Sequence, residues 1–412
     1  MRAAIIAVGS ELLGPVRLDT NSLWLTSRLE STGIPVARKA CVGDDREEIL
    51  AELAAARGRA SLIVFTGGLG PTADDLTKEA VAEFFGRRLV PDAALLETLR
   101  SRFARRGIVM PAINEKQAHA IEGARSLPNP RGSAPGVWLE EGGHVVVLLP
   151  GVPPEMKGMF EEEVLPELLR RSKGGRRFRR VLKIAAMGES AVEEKVQPVY
   201  RFWPDHRFTI LASPGEVQLH LESGGEEAEA VDVLDRQTAD FESVLPGRIF
   251  GRDEETLESA VGALLRKNGL TLAVAESCTG GGLASRLTEE PGSSDYFRGG
   301  VVAYSNDLKR DLLGVGRETL EKFGAVSGEV ASEMAEGALE RLGSDLALST
   351  TGIAGPGGGS EDKPVGTVWL ALSRRGAAPR TALLRLPGGR SIVRIWSVIS
   401  ALEMLRRELI GE

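Results

Sequence analysis

LIVFTGGLGPTADDLTKEAVAEFFG, residues 62–86, holds the architecture in miniature. LIVFT is a short continuous apolar run, the length of a strand buried on both faces. Gly67, Gly68, Gly70 and Pro71 then break it, and DLTKEAVAEFFG takes up helical periodicity, with the helix expected to begin near Asp75. The same unit of strand, glycine and helix recurs on either side. AAIIAVG and HVVVLLPG read as further buried strands. NSLWLTSRLES reads as a helix with Asn21 as candidate cap, and PPEMKGMFEEEVLPELLRR as a helix that opens on proline. Residues 1–172 are therefore predicted to form a mostly parallel sheet covered on both faces. Ligands of such sheets sit beyond the carboxyl ends of the strands.

The basic stretch RRSKGGRRFRR (170–180) reads as a solvated linker, although it could grip phosphates. Residues 173–251 follow the order strand, helix, strand, strand, helix, which fits helices on one face of a small mixed sheet and offers no catalytic constellation. Residues 252–412 begin with an amphipathic helix, DEETLESAVGALLRKNG, with Asp253 as its expected cap and Gly269 as its stop. LTLAVAES, GGVVAYS, DLALSTTG, GTVWLALS and TALLRLP are strand-like, with helices between them. The fold class is α/β, with two three-layer α/β domains joined by a small α+β domain.

Of the 412 residues, 42% are hydrophobic and 26% charged, an ordinary composition for a globular protein of two or three domains. A net charge of −7 argues against a chain that mainly binds nucleic acid. The opening MRAAIIAVGSELLG is too poor in apolar residues for a signal peptide, and no segment reaches the length of a membrane span, so a cytoplasmic protein is expected. Cys41 and Cys278 make no CxxC pair. His119, His144, His206 and His220 are scattered, which argues against a zinc site and leaves a Ser-His-Asp triad without an obvious histidine.

Two regions carry chemistry. In TGGLGPTADDLTKE (66–79), backbone N–H groups of a glycine turn can wrap phosphate oxygens at a helix start. Asp74 and Asp75 could hold a divalent metal or orient water there, or simply cap the helix. Glu11 and Asp44 follow other strands toward the same sheet edge. In AVAESCTGGGLASRL (273–287), Ser277 falls where a strand gives way to a turn, the geometry that exposes a nucleophile. The N–H groups of Cys278, Thr279 and Gly280 could stabilise an oxyanion. VVAYSNDLKRDLLG supplies Tyr304 and Lys309. If two parallel strands end together, both reach Ser277, and a desolvated lysine can be neutral and act as base. The alternatives are a solvated Tyr304 at a strand end and a Lys309 on an exposed helix face. In STTGIAGPGGG (349–359), Thr351, Gly352 and Ala354 suit a nucleotide phosphate or ribose, against the alternative of a flexible loop. Arg390 and Arg394 could clamp that phosphate, or one could cover a helix face.

GSELLG, DTNS, GGLGPTADDLT, NEKQA, GSAPG and LPGVPPEM together resemble the molybdopterin-binding domain. Followed by AESCTGG, YSNDLK and TGIAGPGG, they resemble the CinA family of competence/damage-inducible proteins along essentially the full chain. The resemblance implies a KH-type middle domain, without a GxxG clamp for RNA. It implies a front domain that splits ADP-ribose into AMP and ribose 5-phosphate with a divalent metal and potassium. Asp75 would assist metal or water, with Asp74, Glu11 and Asp44 as further metal ligands. Asn21, Gly67, Gly68, Gly70, Pro71 and Thr72 would surround the phosphates. The rear domain resembles nicotinamide-nucleotide amidohydrolases, which implies Ser277, Tyr304 and Lys309 as a catalytic set that converts nicotinamide mononucleotide to nicotinate mononucleotide and ammonia, with no cofactor. It also suggests a homodimer. Two further readings are a molybdopterin adenylyltransferase in front, and a non-enzymatic competence or DNA-repair protein using Arg176, Arg177, Arg179 and Arg180.

Overall fold

The computed structural model describes residues 1–171 and 177–412. The boundary expected at 172, the centre of the basic stretch and Arg176 lie outside the described residues. The chain divides into two compact units, Met1–Phe178 with Gly224–Ala230, and Arg179–Ser223 with Val231–Glu412.

In the first unit, β1 (Ala3–Val8), β2 (Val36–Val42), β3 (Leu62–Thr66), β6 (Arg125–Leu127), β7 (Gly136–Glu141) and β8 (His144–Leu149) form one sheet in the order β2-β1-β3-β8-β7-β6. β4 (Leu89–Pro91) and β5 (His119–Ile121) pair separately. β2, β1, β3 and β8 run parallel, β7 pairs antiparallel with β8, and β6 pairs antiparallel with β7. Successive apolar residues of each parallel strand point to opposite faces, so both faces need cover. Ile6, Phe65 and Leu148 pack under Ile49, Leu53 and Val81, while Ile5, Val64 and Val147 pack under Leu25, Leu29 and Phe160. That double burial makes three layers. The helix after the glycine turn begins at Thr77 rather than near Asp75, because Asp75 caps the turn before it.

The second unit contains the small α+β layer and the rear α/β layer. β9 (Arg177–Ala185), β10 (Phe208–Ser213), β11 (Glu216–Gly224) and β12 (Ile249–Arg252) lie in the order β10-β11-β9-β12. β12 was not foreseen, since four residues are too few to show alternation. The helix Leu257–Asn268 is capped by Thr256, not Asp253: Thr256 and Ser259 exchange side-chain and backbone hydrogen bonds, whereas Asp253 accepts the N–H of Val181 on β9.

β13 (Leu272–Glu276), β14 (Phe297–Val302), β15 (Leu346–Gly352), β16 (Thr367–Arg374) and β17 (Arg380–Arg385) lie in the order β14-β13-β15-β16-β17. The first three run parallel, β16 pairs antiparallel with β15, and β17 pairs antiparallel with β16. Val274 and Leu348 face Val261, Leu265 and Leu402, and Ala273, Ala275 and Ala347 face Val330 and Met334. Glu276 stands opposite Val302 and Thr350, so β13 and β14 end level and β15 runs two residues further, to Gly352. No helix among the described residues is long and apolar enough to cross a membrane.

Candidate active sites

A cavity of about 450 Å³ opens beyond the carboxyl ends of β1, β3 and β8. Its glycine turn has no freedom to be anything else. A Cβ at Gly67, where φ is +108°, would run into the carbonyl oxygen of Val8, and one at Gly68, where φ is +66°, into the Thr77 hydroxyl. Thr77 instead donates that hydroxyl to Gly67 O at 2.9 Å. Asp75 accepts the backbone N–H of Thr72 at 2.9 Å and also its hydroxyl, folding Pro71 and Thr72 over the cavity. Asn21 donates to Thr66 Oγ1 at 2.9 Å and to Gly151 O at 2.8 Å. Its Oδ1 is buried without a partner among the described residues, as an acceptor kept for a ligand would be.

Glu11, Asn21, Asp44, Gly67, Gly68, Gly70, Pro71, Thr72, Asp74 and Asp75 all line this cavity. The expected metal set, however, is not assembled. Glu11 pairs with Arg17 at 3.5 Å, Asp44 accepts the Ser10 N–H at 2.7 Å, and Asp75 is held by Thr72. Among the described residues no three His, Cys, Asp or Glu side chains converge on a metal-sized site. The residues present do not fit a preformed metal centre.

In the second unit, the carboxyl ends of β13, β14 and β15 frame a cavity of about 230 Å³ lined by Ser277, Cys278, Tyr304, Lys309, Thr351, Gly352, Ala354 and Arg390. Ser277 is 8% exposed, and its N–H donates to Thr350 O at 2.9 Å, continuing the ladder between β13 and β15. Lys309 lies on the helix Asn306–Leu313, capped by Ser305, and is 2% exposed. Its Nζ is 3.0 Å from Ser277 Oγ and donates to Ala303 O at 2.9 Å. Among the described residues no carboxylate pairs with it, and burial pushes its pKa down, favouring the neutral amine. Burial has the opposite effect on Cys278, whose thiol is pushed up to about 11. Burial therefore favours the uncharged form of both groups, the amine of Lys309 and the protonated thiol of Cys278.

Several expectations change. Tyr304 is 58% exposed, and its hydroxyl accepts from Arg390 Nη2 at 2.8 Å while Arg390 Nη1 donates to Gly355 O at 3.0 Å. Tyr304 thus shares the cavity but is bonded to Arg390. The Gly280 N–H is spent on Ser277 O at 3.1 Å in closing the turn, which leaves the N–H groups of Cys278 and Thr279 without a backbone acceptor among the described residues. Thr279 is itself buried, its hydroxyl 2.7 Å from that of Thr350. Arg394, one helical turn beyond Arg390, does not line the cavity. Its Nε and Nη2 donate to Thr279 O at 3.2 and 2.7 Å, so it braces the turn rather than clamping phosphate. Thr351 lines the cavity, but its hydroxyl donates to Ala325 O at 2.7 Å and can only accept from a ligand.

Residues 4–170 match the family described as "Probable molybdopterin binding domain", 179–251 the "Damage-inducible protein CinA KH domain", and 254–409 the "CinA C-terminal domain". A CinA-like protein of Solibacter usitatus is 44% identical over 413 residues, covering 100% of this chain and 99% of its own. One of Dictyoglomus thermophilum is 43% identical over 412 residues, covering 100% of both. The chain belongs to the CinA family. A crystal structure of a competence/damage-inducible protein from Agrobacterium tumefaciens matches 38% of the chain and 94% of its own at 47% identity, with a TM-score of 0.37.

This CinA chain holds its sites with residues that sequence reasoning passed over. Glu276 is fully buried, and its two oxygens accept the N–H groups of Leu283 and Ala284 at 3.0 and 2.8 Å, tying the far side of the Ser277 turn back to the strand. Its only signal was an acid ending an apolar strand. In front, Lys116 of NEKQA donates to Thr72 O at 3.1 Å and to Asp75 O, and pairs with Glu79 at 3.2 Å, pinning the turn that Asp75 caps.

Proposed function

We propose that the rear site hydrolyses the carboxamide of nicotinamide mononucleotide. The observation that carries this reading is the contact of Lys309 Nζ with Ser277 Oγ in a buried setting that favours the neutral amine. Lys309 takes the Ser277 hydroxyl proton as Oγ attacks the carboxamide carbon. The N–H groups of Cys278 and Thr279 stabilise the oxyanion. Lys309 returns the proton to the departing nitrogen, ammonia leaves and an ester on Ser277 remains. Water, deprotonated by Lys309, attacks the ester; nicotinate mononucleotide departs and Ser277 regains its proton. Arg390 and the Tyr304 hydroxyl meet the ligand phosphate or ribose, with the Gly352 and Ala354 backbone beside them. Ammonia release from nicotinamide mononucleotide, abolished in Ser277→Ala, tests the reading; unchanged turnover in that variant sinks it.

For the front site the reading is hydrolysis of the ADP-ribose pyrophosphate to AMP and ribose 5-phosphate. The glycine turn, shaped to receive phosphate oxygens with Asp75 at its base, supports it. Loss of AMP release in Asp75→Asn with ammonia release intact is the expected result, and persistence of AMP release removes Asp75 from the reaction. The match of residues 4–170 to a molybdopterin-binding family favours a second reading, in which a pterin occupies the same cavity. Competition between a pterin and ADP-ribose separates the two.

A further inference from the structure

Next to the front cavity lies a second one of about 560 Å³, and three arginines, Arg102, Arg105 and Arg106, line it. The two cavities share Ser133 as a lining residue. Their charge balance is opposite. Among the described residues the first has a single lysine or arginine in its wall, Arg17, against several carboxylates, whereas the second has three guanidinia and no acidic side chain.

The arginines fall at i, i+3 and i+4 at the end of the helix Ala93–Arg105, one face of one turn. The helix dipole accounts for basic residues in a last turn, but not for a shared cavity lined by all three. Arg102 is locked in place: Nη1 donates to Asn129 O at 2.7 Å and to Gly132 O, and Nη2 to Pro130 O at 2.9 Å. Three carbonyls take up three of its five N–H donors without neutralising its charge. Among the described residues neither Arg105 nor Arg106 has a carboxylate partner, although ion pairs are plentiful elsewhere on this unit. The nearby carboxylate of Glu155 accepts from Asn129 Nδ2 at 2.7 Å. Burial first, and then the guanidinium of Arg106, push the Arg102 pKa down; the Glu155 carboxylate opposes them and Arg105 adds to the repulsion, the part a bound anion would relieve. Leu95, Leu99 and Pro128 supply an apolar floor.

We propose that this arginine-lined cavity is a binding site for the phosphate or diphosphate group of a phosphorylated small molecule, separate from the glycine turn. Planar guanidinia match phosphate geometry in pairs, and Arg105 and Arg106, without carboxylate partners among the described residues, beside Arg102 and an apolar floor suit a nucleotide-sized ligand better than a free halide or an acidic peptide.

The test titrates the full-length protein with pyrophosphate at low ionic strength, by calorimetry, in the wild type and in Arg105→Gln/Arg106→Gln. Both side chains are exposed, so the melting temperature and the ammonia release of the rear unit serve as folding controls. The double variant is expected to bind pyrophosphate on the order of tenfold more weakly for each guanidinium removed. Unchanged pyrophosphate affinity in the folded variant overturns the proposal. Kinetics then identify the source of the anion. A raised KM for ADP-ribose at constant kcat assigns the phosphate to the front substrate, and weakened pyrophosphate binding with unchanged KM assigns it to a second phosphorylated ligand. The titration decides the point even if ADP-ribose is not hydrolysed at all.

Discussion

Replacing Lys309 by Met removes the amine while keeping an unbranched side chain of similar length in the same buried slot. The amine makes two contacts, with Ser277 Oγ at 3.0 Å and Ala303 O at 2.9 Å. Among the described residues no other base contacts Ser277, so the variant loses the general-base contribution, typically about 10²–10⁴ in rate, or about 3–5.5 kcal/mol of barrier. Stability moves much less. Each lost hydrogen bond costs about 0.5–1.5 kcal/mol, opposed by no longer burying an ionisable group. The pH dependence gives the sharper signature. The Lys309 pKa in the folded chain lies below the ordinary 10.5. As pH rises through the folded value the amine loses its proton and becomes a base, so kcat/KM for ammonia release rises with an apparent pKa below that of free lysine. Between the folded value and 10.5 the unfolded chain holds a proton that the folded chain does not, so wild-type stability increases with pH across that window. Below the folded value both states are protonated and the full cost of a buried ammonium is felt. Lys309→Met lacks this contribution, so the wild type should gain on the variant in melting temperature as pH rises. A variant that retains more than roughly a tenth of the wild-type rate would refute the assignment of Lys309 as base.

Other substitutions probe the remaining parts. Cys278→Ala should keep most ammonia release, because the thiol is pushed up to about 11 and stays protonated near neutral pH; a dead but folded variant would transfer the nucleophile to the cysteine. Glu276→Gln replaces one of two buried acceptor oxygens by a donor facing an N–H, a mismatch worth about 1–3 kcal/mol, so calorimetry should show a lower melting temperature and kinetics a fall in kcat larger than any change in KM. Equal loss in both constants would mean that Glu276 does not position the Ser277 turn. Gly68→Ala places a Cβ against the Thr77 hydroxyl at φ +66°, adding about 1–2 kcal/mol of backbone strain to the clash, and should abolish AMP release before it unfolds the protein. Full AMP release in this variant would show that the turn tolerates a side chain.

The parallel core was legible because LIVFT, AAIIAV and HVVVLL are apolar on both faces, a pattern that only a doubly covered strand needs. The meeting of Ser277 with Lys309 was also legible, once β13 and β14 were taken as parallel neighbours ending together. What escaped depends on side chains that fold back on the backbone. An aspartate before a helix reads the same whether it caps that helix, as Asp253 was expected to do, or ties a distant strand, as it does at Val181. Arg390 and Arg394 sit four residues apart with the same chemistry, and only the position of Thr279 O separates a cavity residue from a brace. Four carboxylates at one sheet edge likewise look like a metal set until Arg17, Ser10 and Thr72 are seen to engage three of them.

The Ser277 amide proton is shared with Thr350 O between two central strands. Its exchange with deuterated solvent should require the sheet itself to open, so it belongs with the slowest protons of the rear layer, although it lies at a cavity wall. The ordering of that residue is then met during folding rather than at each turnover. Ligand binding should leave its protection unchanged, while the exposed Tyr304 side of the cavity has freedom left to lose.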